Sequence, residues 1–289
     1  MHSIFLGSEA LYRGEVTLGQ LRWRYRQLFP DVYVPKGAEA SLYANTVGAF
    51  LWSRRRAVVT GHAAAALHGS QWVDADAPIE LDWENNHPPA GIVTRNERFY
   101  YGDTTEIDGM VVATPERAAY DLGRHLPRNQ AVTQLDSLAR ATGLTAARMA
   151  PLIERSKGVR GIRRLRTAVD LMDGGAQSPK ETWLRLLLID AGYPRPATQI
   201  PVLDDYGHAF AYLDMGWEDP RIAVEYDGQQ HGTDADQWRW DVRRQRAVEE
   251  RDWLHVKVIA GDRPDDVLRR VARAWAIRRT GESRRYIVA

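Results

Sequence analysis

The amino-acid sequence predicts a two-part chain, with an α+β N-terminal region over residues 1–172 that starts in a winged-helix-like segment and an α/β C-terminal domain over residues 173–289. Three observations carry this. Capped helical periodicities alternate with short β-rich runs along the chain. In "DLMDGGAQSP", Gly174 and Gly175 interrupt the helical pattern and mark the division. Beyond it, two alternating runs separated by "EDP" lead into a helical stretch and one more strand. The length of 289 residues suits about two domains of roughly 100–200 residues each.

In the first third, "VTLGQLRWRYRQLF" offers Thr17 as a helix cap, with Leu18, Leu21, Tyr25 and Leu28 recurring at helical spacing. "DVYVP" follows as a β-rich segment stopped by Pro35, so a small helix-turn-helix with a wing fits. "RAVVTGHAAAALHG" reads as a strand from Ala57 to Val59 and an alanine-rich helix closed by Gly69. His62 and His68 are six apart, which does not place both on one helix face as a metal pair requires, and they read as capping or packing residues. Between 78 and 114, "PIELDWEN" and "GMVVATP" give short strands separated by turns. Thr114 then caps a helix with Pro115 in its first turn, and two further helical stretches follow.

The C-terminal domain begins with "SPKETWLRLLLIDAG", where Ser178, Pro179 and Glu181 form a capping box, Leu184, Leu187 and Leu188 a buried stripe, and Gly192 a C-cap. "HAFAYLDMGW" and "RIAVEYDG" form a hairpin around turn residues. A helix from about Asp236 to Asp252 and the strand "WLHVKVI" complete it.

Composition narrows the chemistry. The absence of cysteine removes disulfides, thiolate nucleophiles and sulfur-bound zinc. "MHSIFLGSEA" lacks the basic start and apolar centre of a signal peptide, and no eighteen apolar residues run together, so a soluble, cytoplasmic protein with no membrane partner is expected. The net charge of +1 conceals an uneven layout. "RSKGVRGIRRLR", residues 155–166, carries Arg155, Lys157, Arg160, Arg163, Arg164 and Arg166 with no acid, and Arg263 to Arg285 carries eight arginines. Such runs are commonly solvated faces, but two of them flanking an acidic cluster point to a polyanion such as DNA.

That cluster lies in "RIAVEYDGQQH". Side chains alternate along a strand, so Glu225 and Asp227 share one face, and the hairpin brings Asp214 opposite the Val224–Glu225 region. Glu181 sits on the helix face of Leu184 and Leu188, and Asp241 lies on the apolar side of the last helix. Acids gathered in an interior need protons or a cation, and Mg²⁺ or Mn²⁺ suits a few carboxylates joined by water and phosphate oxygens. That arrangement fits phosphodiester hydrolysis, with His231, Gln229 and Lys257 as candidates for a base or positioning group. Each acid also has a plain reading: Glu181 closes a cap, Asp227 starts a turn, Asp241 pairs with a neighbouring arginine. Asp214 and Glu225 are harder to explain that way, because each interrupts a run of strand-forming residues.

Residues 178–262, through "SPKETWLRLLL", "AYLDMGW", "IAVEYDGQQH" and "WDVRRQRAVEERDWLHVKVI", resemble the very-short-patch-repair-type endonuclease domain of many actinobacterial proteins, a branch of the PD-(D/E)xK nuclease superfamily. The resemblance implies a restriction-endonuclease-like fold: a mixed four- or five-stranded sheet flanked by helices. It implies Asp214 and Glu225 as metal ligands, supported by Glu181, His231 and Asp241. The superfamily's E-x-K pattern puts lysine where this chain has Asp227, so His231 or Lys257 is expected to substitute; the repair-type branch itself resembles this chain in using histidine and aspartate. "EVTLGQLRWRYRQLFPDVYVP", "VVTGHAAAALHG" and "VVATPERAAYDL" make the N-terminal region similar to AbiEi-family antitoxins. The expectation is a metal-dependent nuclease acting on DNA in defence, a toxin–antitoxin-like system or repair, with a toxin-like or defence-system partner. The alternative is a DNA-binding regulator on an inactive nuclease scaffold.

Overall fold

The structure is a computed structural model that describes residues 4–228 and 245–280. The chain divides into two compact units, Met1–Gly174 and Gly175–Ala289, each mixing helices and strands. Among the described residues, no helix is long and apolar enough to cross a membrane.

The first unit opens with β1 (Phe5–Leu6), α1 (Gly7–Tyr12), α2 (Leu18–Arg24), β2 (Tyr25–Phe29) and β3 (Val32–Pro35), the strands forming a sheet in the order β1-β3-β2. Thr17 caps α2 reciprocally: its hydroxyl accepts from the Gln20 amide at 3.2 Å, and Gln20 Oε1 accepts from the Thr17 amide at 2.8 Å. The helical spacing that continued through Tyr25 and Leu28 does not hold. Tyr25 is extended and pairs with Pro35, because Asp31, at φ 63°, turns the chain back and lets β3 take up the backbone groups of residues 25–29.

After α3 (Leu42–Trp52), a five-stranded mixed sheet is built from β4 (Val58–Thr60), β5 (Ile79–Asp82), β6 (Ile92–Arg95), β7 (Thr104–Ile107) and β8 (Met110–Ala113), in the order β6-β5-β4-β8-β7. The strand read at Ala57–Val59 is shifted by one residue, since Ala57 precedes the ladder. α4 (Gly61–Leu67) leaves β4 directly. His62 pairs with Glu80, and His68 Nε2 lies 2.8 Å from the Ala113 carbonyl oxygen, so both histidines hold local structure. The helices α5 (Pro115–His125), α6 (Arg128–Thr142), α7 (Ala146–Arg155) and α8 (Ile162–Leu171) follow, with Val59, Leu81, Val112, Leu122, Leu135 and Leu165 fully buried. Each such side chain contributes about 1.5–3 kcal/mol relative to exposure.

The second unit starts with α9 (Pro179–Asp190), followed by β9 (Ala197–Leu203), β10 (Ala209–Trp217), β11 (Ile222–Asp227) and β12 (Leu254–Ile259), and closes with a helix over Pro264–Thr280. The strands form a mixed four-stranded sheet in the order β12-β11-β10-β9, with β12 parallel to β11 and the other pairs antiparallel. Met215, Trp217, Val224, Val256 and Val258 pack with Leu184 and Leu188 of α9 and with Val267, Val271 and Ala274 of the last helix. A smaller cluster gathers Ile200, Val202, Leu213 and Ala223 around Val248. Of the helix expected over Asp236–Asp252, residues 245–250 are helical and 251–252 form a turn; the earlier part lies outside the described residues. Gly216 permits the tight pairing of β10 with β11, since a Cβ there would sit 2.2 Å from the Ile222 carbonyl oxygen.

Candidate active site

Strand register builds the site. Met215 pairs with Val224 and Glu225 pairs with Lys257, so one step beyond Met215 the antiparallel register sets Asp214 against Glu225. Asp214 thus lies next to Glu225 just past the last β10–β11 pair, and Glu225 in turn pairs with Lys257 of β12. Glu225 is 8% exposed, Asp214 half-buried and Lys257 exposed. Asp214 Oδ2 accepts a hydrogen bond from the Tyr226 amide at 3.0 Å, taking the ladder's place where β10 and β11 stop pairing. Lys257 Nζ donates to Gln245 Oε1 at 2.9 Å.

His255 completes the arrangement. It precedes Lys257 by two and shares its face, and its Nε2 lies 2.5 Å from Glu225 Oε2, both side chains nearly buried. The two groups meet at ion-pair distance, without a well-aligned hydrogen bond to either ring nitrogen among the described residues. Sequence reading passed over His255. The signal was in "WLHVKVI", where alternation sets His255 and Lys257 together, opposite to Val256 and Val258.

Glu181 is 8% exposed at the start of α9, where its Oε2 accepts from the Gln177 amide at 2.7 Å and the Ser178 hydroxyl accepts from the Glu181 amide at 3.1 Å. The cap thus closes one residue earlier than a standard capping box. Gln177 Nε2 also donates to Gln199 Oε1 at 2.6 Å, and Gln199, at φ 51°, occupies the step of β9 that faces Asp214 in register. Asp227 is exposed at the end of β11, opposite Ile259. Gln229, His231 and Asp241 lie outside the described residues.

A pair of oxygen donors on adjacent strands fits a hard divalent cation, which takes one or two carboxylates and completes its shell with water and phosphate oxygens. Among the described residues, no group of three or more His, Cys, Asp or Glu is placed to hold a metal ion. The fit therefore rests on Asp214 and Glu225 alone.

In the first unit the structure sorts the six cations of residues 155–166. Arg155 is already engaged, though partly exposed: it pairs with the buried Asp103 and lies 4.8 Å from the Tyr100 ring centroid. Lys157 forms an exposed pair with Glu154. Arg160, Arg163, Arg164 and Arg166 are exposed, with no side-chain hydrogen bond or ion pair among the described residues. An open groove of about 670 Å³ is lined by Lys157, Arg163, Arg164 and Arg166 together with Val159 and Ile162.

The same unit holds a charge network that the sequence did not reveal. Arg117, 2% exposed, pairs with Asp121 at 3.2 Å and stacks 3.8 Å above the Phe99 ring. Asp121 also accepts a short hydrogen bond from Thr60, and burial raises its carboxyl. Burial likewise pushes Asp82 up to about 6, against the hydrogen bond from the Glu97 amide. Glu97 is held at about 2 by His125 and then Arg124, against burial. At Glu80 burial acts upward, but His62 and Arg95 together outweigh it and leave the carboxyl at about 2.

No family model matches this chain. It is 29% identical over 224 residues to two uncharacterized proteins of Mycobacterium tuberculosis, MT2308 of strain CDC 1551 / Oshkosh and Rv2248 of strain ATCC 25618 / H37Rv, a match covering 74% of this chain and 81% of each relative. No solved structure matches it.

Proposed function

We propose that the C-terminal unit is a metal-dependent nuclease that hydrolyses phosphodiester bonds in DNA on a restriction-endonuclease-like PD-(D/E)xK scaffold of the very-short-patch-repair type. One observation carries the reading: Asp214, just past the β10–β11 ladder and bonded to the Tyr226 amide, lies next to the buried Glu225, which pairs with Lys257 of β12. His255 beside Glu225 and the Tyr226 amide on Asp214 offset part of the cost of gathering two acids, and a cation shared between them would offset more of it. Asp214 and Glu225 would hold Mg²⁺ or Mn²⁺, which when bound polarises a phosphate and makes water more acidic. The chain's own groups do the rest. Lys257 supplies, from the adjacent strand, the positive charge that Asp227 cannot supply at its own position, and so orients water or offsets charge on the phosphate. His255 fixes the Glu225 carboxylate, and Glu181 secures the loop that carries Gln177 towards Gln199.

The N-terminal unit fits target selection. Its α1–α2 pair and three-stranded sheet support a winged-helix-like, AbiEi-like reading, with Arg22, Trp23 and Arg24 exposed on α2. Defence, a toxin–antitoxin-like system with a toxin-like or defence-system partner, and repair all accommodate such a pairing of units. A second reading, a DNA-binding regulator without activity, is favoured by one observation: Asp227 is exposed at the position where the superfamily has its lysine.

Cleavage decides between them. Supercoiled, linear, mismatched and single-stranded DNA are incubated with Mg²⁺, Mn²⁺ or EDTA, using the native chain and Asp214→Ala. The nuclease reading requires metal-dependent cutting of at least one substrate that Asp214→Ala abolishes. DNA binding without cutting of any substrate hands the lead to the regulator.

A further inference from the structure

The turn joining α7 to α8 is held from within the first unit. Arg124 Nε donates to the Arg160 carbonyl at 2.9 Å, Arg155 is tied to Asp103, and Val159 and Ile162 close successive turns onto Ser156 and Val159. Gly161, at φ 87°, packs so closely that a Cβ would lie 2.8 Å from the Arg124 carbonyl oxygen. This anchored turn walls the groove of about 670 Å³ whose charged lining, Lys157, Arg163, Arg164 and Arg166, includes no acid. The arginines stay exposed and unengaged although the same unit pairs Arg95, Arg117, Arg124 and Arg155 with carboxylates. Lys157 has only a solvent-exposed pair with Glu154, a contact worth about 0–1 kcal/mol that a stronger anion displaces. Three guanidiniums over four residues in the first turns of α8, next to this anchored turn, form a set of fork-shaped donors on a fixed backbone, suited to tetrahedral oxyanions in series.

We propose that this groove clamps the phosphodiester backbone of nucleic acid, with Arg163, Arg164 and Arg166 as the contacting residues and Lys157 at the rim. Arg155, in contrast, belongs to the anchor and does not touch the ligand. The contact is to the backbone, whose evenly spaced phosphates match a lining of closely spaced cations, so binding follows charge and spacing. This clamp lies in the first unit and stands independently of any cleavage by the second.

The test is binding of a fluorescein-labelled 20-base-pair duplex to the full chain in EDTA, followed by anisotropy across a KCl series. EDTA removes cleavage from the readout, so failure of the nuclease reading leaves this result intact. Replacing Arg163, Arg164 and Arg166 together by Gln is expected to weaken binding about tenfold or more near 0.1 M KCl and to flatten the slope of log K against log salt by about 2–3, close to one unit per lost phosphate contact. The triple Lys replacement should retain most of the slope, and two unrelated duplex sequences should bind alike. Arg140→Gln on α6 serves as a control for net charge. The clamp is overturned if the triple Gln variant binds with unchanged affinity and slope, if Arg140→Gln alters the slope by as much per charge, or if the triple Lys variant loses the slope while thermal melting shows it folded.

Discussion

Titration with Mn²⁺ tests whether Asp214 and Glu225 share a cation. The perturbation is Asp214→Asn, which keeps an oxygen able to accept from the Tyr226 amide and removes one negative charge beside Glu225. A ligand that binds only the folded state stabilises it by about 1.4 kcal/mol at ten times its dissociation constant. A domain of about a hundred residues gains roughly 4–8 °C in melting temperature per kcal/mol, so the native chain should rise by about 6–11 °C as Mn²⁺ saturates. Opposed residues on adjacent strands have Cβ atoms about 5 Å apart, and two unit charges there repel by about 3 kcal/mol at an effective dielectric of 20. Asp214 is partly exposed and His255 stands against Glu225, which together cut that repulsion to about 1 kcal/mol or less. In EDTA the Asn variant should therefore melt within about 1 kcal/mol of the native chain, yet gain nothing from Mn²⁺. Differential scanning fluorimetry with calorimetric confirmation measures both. A variant that keeps the full Mn²⁺-dependent rise would refute the shared-cation reasoning.

Lys257→Met should lower the single-turnover cleavage rate about 100-fold while leaving the Mn²⁺-dependent rise in place, with Lys257→Arg intermediate; equal rates in all three would remove Lys257 from the site. Asp82→Asn should stabilise the first unit by about 1–2 kcal/mol at pH 7–8 after allowance for solvent screening, and by nothing near pH 4, as read by thermal melts. The sign follows from burial, which raises this acid from 3.8 to about 6, so that its ionisation costs the folded state nothing below pH 3.8 and the full amount above pH 6. Glu80 and Glu97 act in the opposite sense: lowered to about 2, they contribute stability above about pH 4.5 that is lost as the pH falls towards 2, and Glu97→Gln should flatten that acid limb. Gly61→Ala should cost about 2 kcal/mol or more in melts, because Gly61 sits at φ 57° and a Cβ would lie 1.7 Å from Glu80 Oε2; a loss below about 0.5 kcal/mol would mean that the Glu80 side chain simply moves aside.

What the sequence disclosed depended on how local the signal was. Thr17, Thr114 and Ser178 all cap the helices expected of them, since a capping hydroxyl needs only the next three residues. The hairpin of β10 and β11 was equally readable, because alternation and turn chemistry lie within some twenty residues. Tyr25 and Leu28 misled, as their helical spacing was overridden by pairing with β3, a partner that periodicity does not display. His255 stayed hidden because its partner is thirty positions away in sequence, and only the parallel pairing of β11 with β12 brings the two together. The pairing of Arg155 depends in the same way on Asp103, across an intervening strand pair and two helices. Composition told that cations were abundant; burial and pairing told which were already engaged.

The most direct measurement of the central claim is single-turnover cleavage of an end-labelled DNA substrate at saturating Mn²⁺ by the native chain and by Glu225→Gln, with binding of the same DNA measured in parallel. Glu225→Gln should cut at least about 100-fold more slowly, about 3 kcal/mol of lost transition-state stabilisation, with DNA affinity unchanged. Cleavage by Glu225→Gln at the native rate would contradict the claim.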